Sequence, residues 1–370
     1  MDLVGVIFSN IYDNTLGTLT KVRTVASVPF GARYRQIDFI LSNMVNSDIT
    51  SVGVITKYHY KSLMDHLDSR SEWELNHKNG GLFFLPPFAD DHSGIYKGKI
   101  EALYRTVSFL ERTGADYVLL ADSNVICNID FKKVLKAHIE SGADITAVAN
   151  REKEHMGEEK RLLFTMDGDS VSEVLLSSGA DESKLCGMGM FIMERKRLTE
   201  MVENYVALGK FHFEKDFLQK EFNDGTLHIN VYEFENTVLR NESIIDYYNN
   251  SFKLMDEKVR TDIFSQQNPI YTKVRDEVPT YYGEDSFVDD CLIADGCTIK
   301  GRVENCVLFR NVTVEEGCYI KNSIIFQGSV IEKNCQLDCV ILDKDVRVTA
   351  GRMLIGSKSA PYMAEKAAKV

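Results

Sequence analysis

Chemistry in this chain would begin with its carboxylates and its clustered cations. Asp122, Asp130 and Asp246 are carboxylates near apolar, strand-like runs. Arg23, Arg33 and Arg35 gather within one short stretch and suit an anion, although solvated arginines at a helix start would look the same. The eight cysteines contain no C-x-x-C pair, and the spacing of Cys291, Cys297, Cys306, Cys318, Cys335 and Cys339 fits no metal-ligand template. They read as structural thiols, so no metal site is expected from them. The mixed charge run Glu152 to Arg161 reads as a solvated loop.

The elements that must position these groups are bounded by length and composition. A chain of 370 residues suggests two or three folding units at about 150 residues each. Hydrophobic residues at 44% and charged residues at 26% are ordinary globular values. Lys plus Arg number 43 against 55 Asp plus Glu, for a net charge of -12. A polyphosphate backbone demands a basic stripe, so a nucleic-acid partner is disfavoured. No apolar run approaches the ~18 residues of a membrane span. The stretch Leu3 to Phe8 lacks the basic region of a signal peptide, and a cytoplasmic location is expected. Disulfides are not expected in a reducing cytosol.

Up to about residue 255, strand-like runs alternate with helical patterns. Leu3–Phe8, Val52–Thr56, Tyr117–Ala121 and Ile145–Val148 are short, apolar and rich in β-branched residues, as strands buried on both faces are. Ile37, Ile40, Leu41 and Met44 fall at helical spacing, as do Ile100, Leu103, Tyr104, Val107 and Leu110. Phe131 to His138 predicts a further helix, closed by Gly142. Repeated strand–helix–strand units predict a parallel, doubly wound sheet with ligands at the carboxyl ends of its strands.

From about residue 285 an internal repeat takes over. Ile293–Lys300 returns as Val314–Lys321 and Ile331–Asp338, then fades at Val348–Gly351. Each full copy has an aliphatic residue, a turn-forming Gly or Asn, a small residue and a second aliphatic, the pattern of a hexapeptide β-helix. The small fifth position predicts that Cys297, Cys318 and Cys335 stack inside the solenoid. None of the histidines lies after His228, which removes the catalytic His that a hexapeptide acyltransferase needs. Between the halves, Thr261 to Tyr282 carries Asn268-Pro269 and Val278-Pro279 and reads as a linker.

One string is unusual: Phe30-Gly-Ala-Arg-Tyr-Arg-Gln-Ile-Asp-Phe-Ile-Leu-Ser-Asn43. It closely resembles a segment of glucose-1-phosphate adenylyltransferase, that is, ADP-glucose pyrophosphorylase. Gly53–Tyr58, Ser71–Leu75, Gly98 with Ala102 and Tyr104, Gly187–Met190 and Tyr232–Phe234 extend the likeness along nearly the whole chain. The resemblance implies an α/β fold: a doubly wound, mostly parallel sheet of the nucleotidyltransferase-like, Rossmann-like kind, followed by a C-terminal left-handed parallel β-helix of hexapeptide repeats. The expected boundaries are a nucleotidyltransferase-like domain over 1–258, a linker over 259–284 and a β-helix over 285–370.

The family's reaction, ATP plus glucose 1-phosphate giving ADP-glucose and pyrophosphate, requires a glycine-rich phosphate loop, cationic clamps and magnesium held by two aspartates. The resemblance places Asn10, Ile11 and Asp13 where the loop glycines belong and Thr15 at its arginine. Val25 falls at a phosphate-binding lysine, and Asn124 and Arg240 fall at the two magnesium aspartates. Leu176-Ser177-Ser178 replaces the Glu-Lys-Pro that grips the sugar phosphate. The positions Thr15, Val25, Asn124, Ser177 and Arg240 are therefore expected to be degenerate, with no catalytic residue, metal or cofactor in this chain. Gly98, Tyr104 and Gly189 are the expected remnant of the substrate pocket.

Loss of the catalytic set on an intact scaffold resembles the non-catalytic GlgD-type subunit. That resemblance implies a regulatory subunit pairing with a catalytic subunit, which carries the magnesium, in a hetero-oligomer, a tetramer in this family, for ADP-glucose synthesis toward glycogen. It also implies an anionic small-molecule effector at Arg23, Arg33 and Arg35. The alternative is an active sugar-1-phosphate nucleotidyltransferase with atypical site residues, using Asp122, Asp130 or Asp246. A purely structural solenoid scaffold would not explain why the α/β half keeps its family sequence.

Overall fold

The computed structural model describes residues 2–10, 14–68, 70–76, 80–86, 96–151, 160–178 and 181–370. Apolar runs without alternation become strands covered on both faces. β1 (Leu3–Phe8), β2 (Ser51–Ile55), β3 (Gly81–Leu85) and β4 (Tyr117–Asp122) are parallel, in the order β3-β2-β1-β4. Between them run α1 (Gln36–Asn46), α2 (Lys61–Leu67), α3 (Lys99–Tyr104) and α4 (Val107–Thr113). After β4 comes α5 (Phe131–Ser141), stopped by Gly142 at φ 62°.

Past β4 the sheet turns mixed. β5 (Ile145–Asn150), the hairpin β6 (Arg161–Asp167) and β7 (Ser170–Ser177), β8 (Leu185–Glu194) and β9 (Ile229–Glu233) complete it. β8 is antiparallel to β4, β5 and β6, whereas β9 is parallel to β5. The parallel, doubly wound expectation thus describes the N-terminal half of the sheet. Val4, Val6, Val118 and Leu120 bury one face against Leu103, Phe109 and Leu198, and Ile7, Val52 and Val54 bury the other against Ile37, Ile40 and Met44.

The repeat region is a parallel β-helix. β10 (Phe287–Ile293) and β11 (Arg302–Leu308) are parallel and in register, and later coils stack as Tyr319–Lys321 on Gln336–Asp338 and Thr313–Val314 on Val330–Ile331. Cys297, Cys318 and Cys335 are buried in its core, at 1%, 2% and 0% exposure. They do not form one ladder. Thr298–Ile299 pairs with Thr313–Val314, which sets Cys297 beside Val312, while Cys318 lies beside Cys335. The register follows the coils, and Ile293–Lys300 turns a corner that Val314–Lys321 turns elsewhere.

The two domains share an apolar core. Leu16, Leu19, Val25, Phe30 and Tyr247 of the α/β half pack with Val307, Phe309, Ile324 and Phe326 of the solenoid. The expected linker is part of this joint. The helix Glu257–Ile263 crosses residue 258, Thr272 donates to Asp38 at 2.6 Å, and Tyr281–Tyr282 already pairs with the first coil.

Candidate functional site

The carboxyl ends of β1, β2 and β4 open onto a cavity of about 450 Å³. Phe8, Ile55 and Asp122 terminate those strands there, and β8 contributes Gly187, Met188 and Gly189. Parallel strands all expose their last residues at one end, so residues remote in sequence converge. Ser9 and Asn10 follow β1 into the wall. The Asn10 Oδ1 accepts from the Lys57 amide at 2.8 Å, tying the start of the loop to the end of β2. Ile11 and Asp13 of that loop lie outside the described residues.

A buried charge triad stands in the cavity. Lys99 Nζ is 3.0 Å from Asp122 and 2.5 Å from Glu214, joining α3, the end of β4 and the π-helical turn Phe213–Gln219. Burial pushes the Asp122 carboxyl up to about 6, partly offset by the Lys99 ammonium. Burial works to lower Lys99, but Asp122 and Glu214 outweigh it and hold the ammonium above the ordinary lysine value. Two glycines make room here. At Gly98 a Cβ would lie 2.2 Å from the Phe211 carbonyl oxygen, and Gly189, at φ 66°, would place one 2.3 Å from Asp122 Oδ2.

Asn124 and Arg240 are brought together. The two-residue ribbon of Val125–Ile126 and Leu239–Arg240 sets Arg240 opposite Val125, and both Asn124 and Arg240 line the cavity. Arg240 Nη1 donates to the Gly187 carbonyl at 2.8 Å, and its Nη2 donates to Asn150 Oδ1 at 2.5 Å and to the Cys186 carbonyl at 3.3 Å. These carbonyl and amide oxygens fix the guanidinium in the cavity wall. Asn124 is 1% exposed, and neither end of its amide has a hydrogen-bond partner among the described residues. Arg161, expected in a solvated run, is instead buried and ion-paired with Glu242 at 2.6 Å; Glu152 to Glu159 lie outside the described residues.

Several expected site residues stand elsewhere. Val25 is buried in the interdomain core, Thr15 lies outside the cavity lining, and Ser177 ends β7 next to Leu176, which does line it. Tyr104, 43% exposed at the end of α3, also lies outside the lining. Asp130 caps α5 through the Lys132 amide, and Asp246 is bound to Ser243 at the start of the helix Ile244–Lys253, and neither lines the cavity with Asp122.

A second concavity lies between the domains. Arg33 and Arg35 line it with Lys273, Arg275, Arg310 and Lys344, and no carboxylate among the described residues does so. Arg23 does not face it as expected: it is 2% exposed and bound to Asp343 at 2.8 Å. Arg310 is 7% exposed, and its Nε and Nη2 have no partner among the described residues. Burial, with repulsion from Arg35 and Arg23, pushes the Lys344 ammonium down to about 7. Burial likewise lowers Arg35 to about 10. Crowded, desolvated cations of this kind are stabilised by an anion. Arg310 and Lys344 carry no local sequence signal, since solenoid corners are often charged and only the docking of two domains puts them beside Arg33 and Arg35.

The magnesium that the resemblance implies does not fit the cavity. Asn124 offers a neutral amide, Arg240 a fixed positive charge, and Asp122 is already neutralised by Lys99. Among the described residues no group of three His, Cys, Asp or Glu could hold a metal, and no helix is long and apolar enough to cross a membrane.

Comparison with known proteins agrees with this architecture. Residues 14–159 match the nucleotidyl transferase family and 278–361 the GlmU-like C-terminal hexapeptide family. The chain is 35% identical to the glycogen biosynthesis protein GlgD of Bacillus subtilis (strain 168), over 98% of this chain and 96% of that one. It is 36% identical to GlgD of Geobacillus stearothermophilus, over 86% of this chain and 82% of that one. Against glucose-1-phosphate adenylyltransferase of Clostridium botulinum (strain Alaska E43 / Type E3) it is 32% identical, over 87% and 84% of the two chains. With a nucleotidyl transferase match followed by a hexapeptide match, and this degree of identity along most of its length, the chain belongs to the glucose-1-phosphate adenylyltransferase family, beside the GlgD glycogen biosynthesis proteins.

Proposed function

We propose that this chain is a regulatory, catalytically degenerate subunit that pairs with a catalytic ADP-glucose pyrophosphorylase subunit. The observation that carries this reading is the state of the two expected magnesium positions, an amide at Asn124 with no partner among the described residues and a carbonyl-anchored guanidinium at Arg240. At ~4 Å and an effective dielectric near 20, a cation in place of a carboxylate turns an attraction of about 4 kcal/mol for a unit charge into a comparable repulsion. The chain then acts through contacts with other subunits in a hetero-oligomer, a tetramer on the family pattern, and the metal belongs to the partner.

The basic interdomain cleft supports an anionic effector as the regulatory input. Arg33 and Arg35 remain its expected contacts, with Arg310, Lys344, Lys273 and Arg275 added and Arg23 acting behind them through Asp343. An effector bridging the domains would alter how the solenoid sits on the α/β half. A coupling of about 1–3 kcal/mol to the partner's more active state changes affinity by roughly 5- to 150-fold.

The test is co-purification with the catalytic subunit, followed by kinetics at matched catalytic-subunit concentration. A stable complex with altered maximal rate, substrate affinity or effector response is expected. Separate elution, with unchanged partner kinetics at micromolar concentrations of this chain, would overturn the reading.

A further inference from the structure

Cys291 and Cys306 occupy the same position on the first two coils of the solenoid. They are register partners in the parallel pair β10 and β11. Neighbouring strands lie ~4.8 Å apart, inside the ~4.4–6.8 Å Cα separation of disulfides, and in-register side chains leave the sheet in the same direction. Each follows a residue in the left-handed region, Asp290 at φ 45° and Asn305 at φ 47°, so both thiols leave the same corner of the coil.

Their surroundings differ. Cys306 is fully buried, although each Sγ lies 3.1 Å from the carbonyl two residues earlier, that of Glu304 for Cys306 and that of Asp289 for Cys291. Cys291 is half-buried on the outermost coil, whose strand β10 pairs on one edge with β11. A hydrogen bond from the Cys306 thiol lowers the Cys291 thiol below its usual value, against the opposing effect of burial, whereas burial raises Cys306 well above it. One thiol is therefore half-buried and shifted toward acidity, and the other, beside it, is fully buried and shifted away from acidity. That is the division of labour between an attacking and a resolving cysteine.

We propose that Cys291 and Cys306 form a reversible intramolecular disulfide, with a low-molecular-weight disulfide as oxidant, that staples the first coil to the second. Cys291 thiolate attacks one sulfur of the oxidant, forming a mixed disulfide and expelling one small thiolate. Cys306 Sγ then attacks Cys291 Sγ, the second small thiol leaves, and the Cys306 proton passes to it. The two cysteines are together oxidised by two electrons, and the oxidant is reduced to two thiols.

The same register places Cys318 beside Cys335, but both are buried, and burial pushes Cys318 up to about 11. That pair serves as the internal control, expected to stay reduced while the chain is folded.

The experiment treats the full native chain with oxidised glutathione, quenches with acid, and reads intact mass and cysteine-containing peptides. Loss of two hydrogens with a Cys291–Cys306 linked peptide, reversed by dithiothreitol, is expected. Cys306→Ser should instead trap glutathione on Cys291, and Cys291→Ser should leave Cys306 unmodified. Circular dichroism on both variants confirms the fold before oxidation. A persistent glutathione adduct on Cys291 in the unsubstituted chain, no reaction at Cys291, or a bridge between Cys318 and Cys335 instead would each overturn the proposal.

Discussion

Arg23 and Asp343 meet as an ion pair at 2.8 Å, each side chain 2% exposed, one from the start of the α/β domain and the other from the last coils of the solenoid. The pair pins the two domains where the basic cleft forms, since Lys344 follows Asp343 into its lining. Removing one partner leaves the other charged in a dry joint. Arg23→Met should cost about 3–5 kcal/mol, read by urea denaturation of the whole chain. Substitution of Lys21, exposed and paired with Glu365, should leave the midpoint where it is.

Lys344 gives the cleft a pH dependence. Its folded value of about 7 lies below the ordinary 10.5, so above pH 7 the ligand-free protein holds the amine neutral. A bound anion raises that value, and binding then takes up a proton. Sulfate, which does not titrate in this range, should bind best below pH 7 and weaken as pH rises, by at most about tenfold per unit for one linked proton. Calorimetric titration at several pH values measures this, and Lys344→Met should flatten the profile. An unchanged profile in that variant would remove Lys344 from the cleft's chemistry.

The purified chain should form no ADP-glucose from ATP and glucose 1-phosphate with magnesium, measured by pyrophosphate release in a preparation free of catalytic subunit. Asn124→Asp should not rescue it, because Arg240 stays fixed by the Gly187 and Cys186 carbonyls and Lys99 still neutralises Asp122. A large gain from that one change would show that Arg240 is no obstacle to the metal.

Gly189→Ala should unsettle the cavity. It combines a left-handed φ of 66° with a Cβ 2.3 Å from Asp122 Oδ2, and should destabilise the chain by about 1–3 kcal/mol. Chemical denaturation measures the cost. A neutral result would mean that β8 relaxes away from β4.

Cys297, Cys318 and Cys335 should resist N-ethylmaleimide in the native state and react after unfolding, as judged by peptide mass. Cys318→Asp should cost several kcal/mol, on the order of other buried uncompensated charges, whereas Cys318→Ala should be mild. Rapid native labelling of all three would place them outside the core.

Much of this protein was written locally. Leu3–Phe8 and Tyr117–Ala121 announce buried strands by composition alone, Gly142 ends its helix, and the repeated small-residue position puts Cys297, Cys318 and Cys335 inside a solenoid, because period and propensity act over a few residues. The resemblance also pointed to Asn124 and Arg240 as emptied positions, and the fold brings both to one cavity.

Tertiary structure decided what no window contains. Lys99, Asp122 and Glu214 form a triad because α3, β4 and a π-helical turn converge, and the antiparallel insertion of β8 sets Gly189 against Asp122. Arg23 looks like its neighbours Arg33 and Arg35 in sequence, yet a carboxylate 320 positions away takes it out of the cleft, while Arg310 and Lys344 come into it. A side chain reaches only a few ångströms, so its ion-pair partner is fixed by which surfaces dock, and docking is settled by the apolar core shared between Phe30, Tyr247, Phe309 and Phe326.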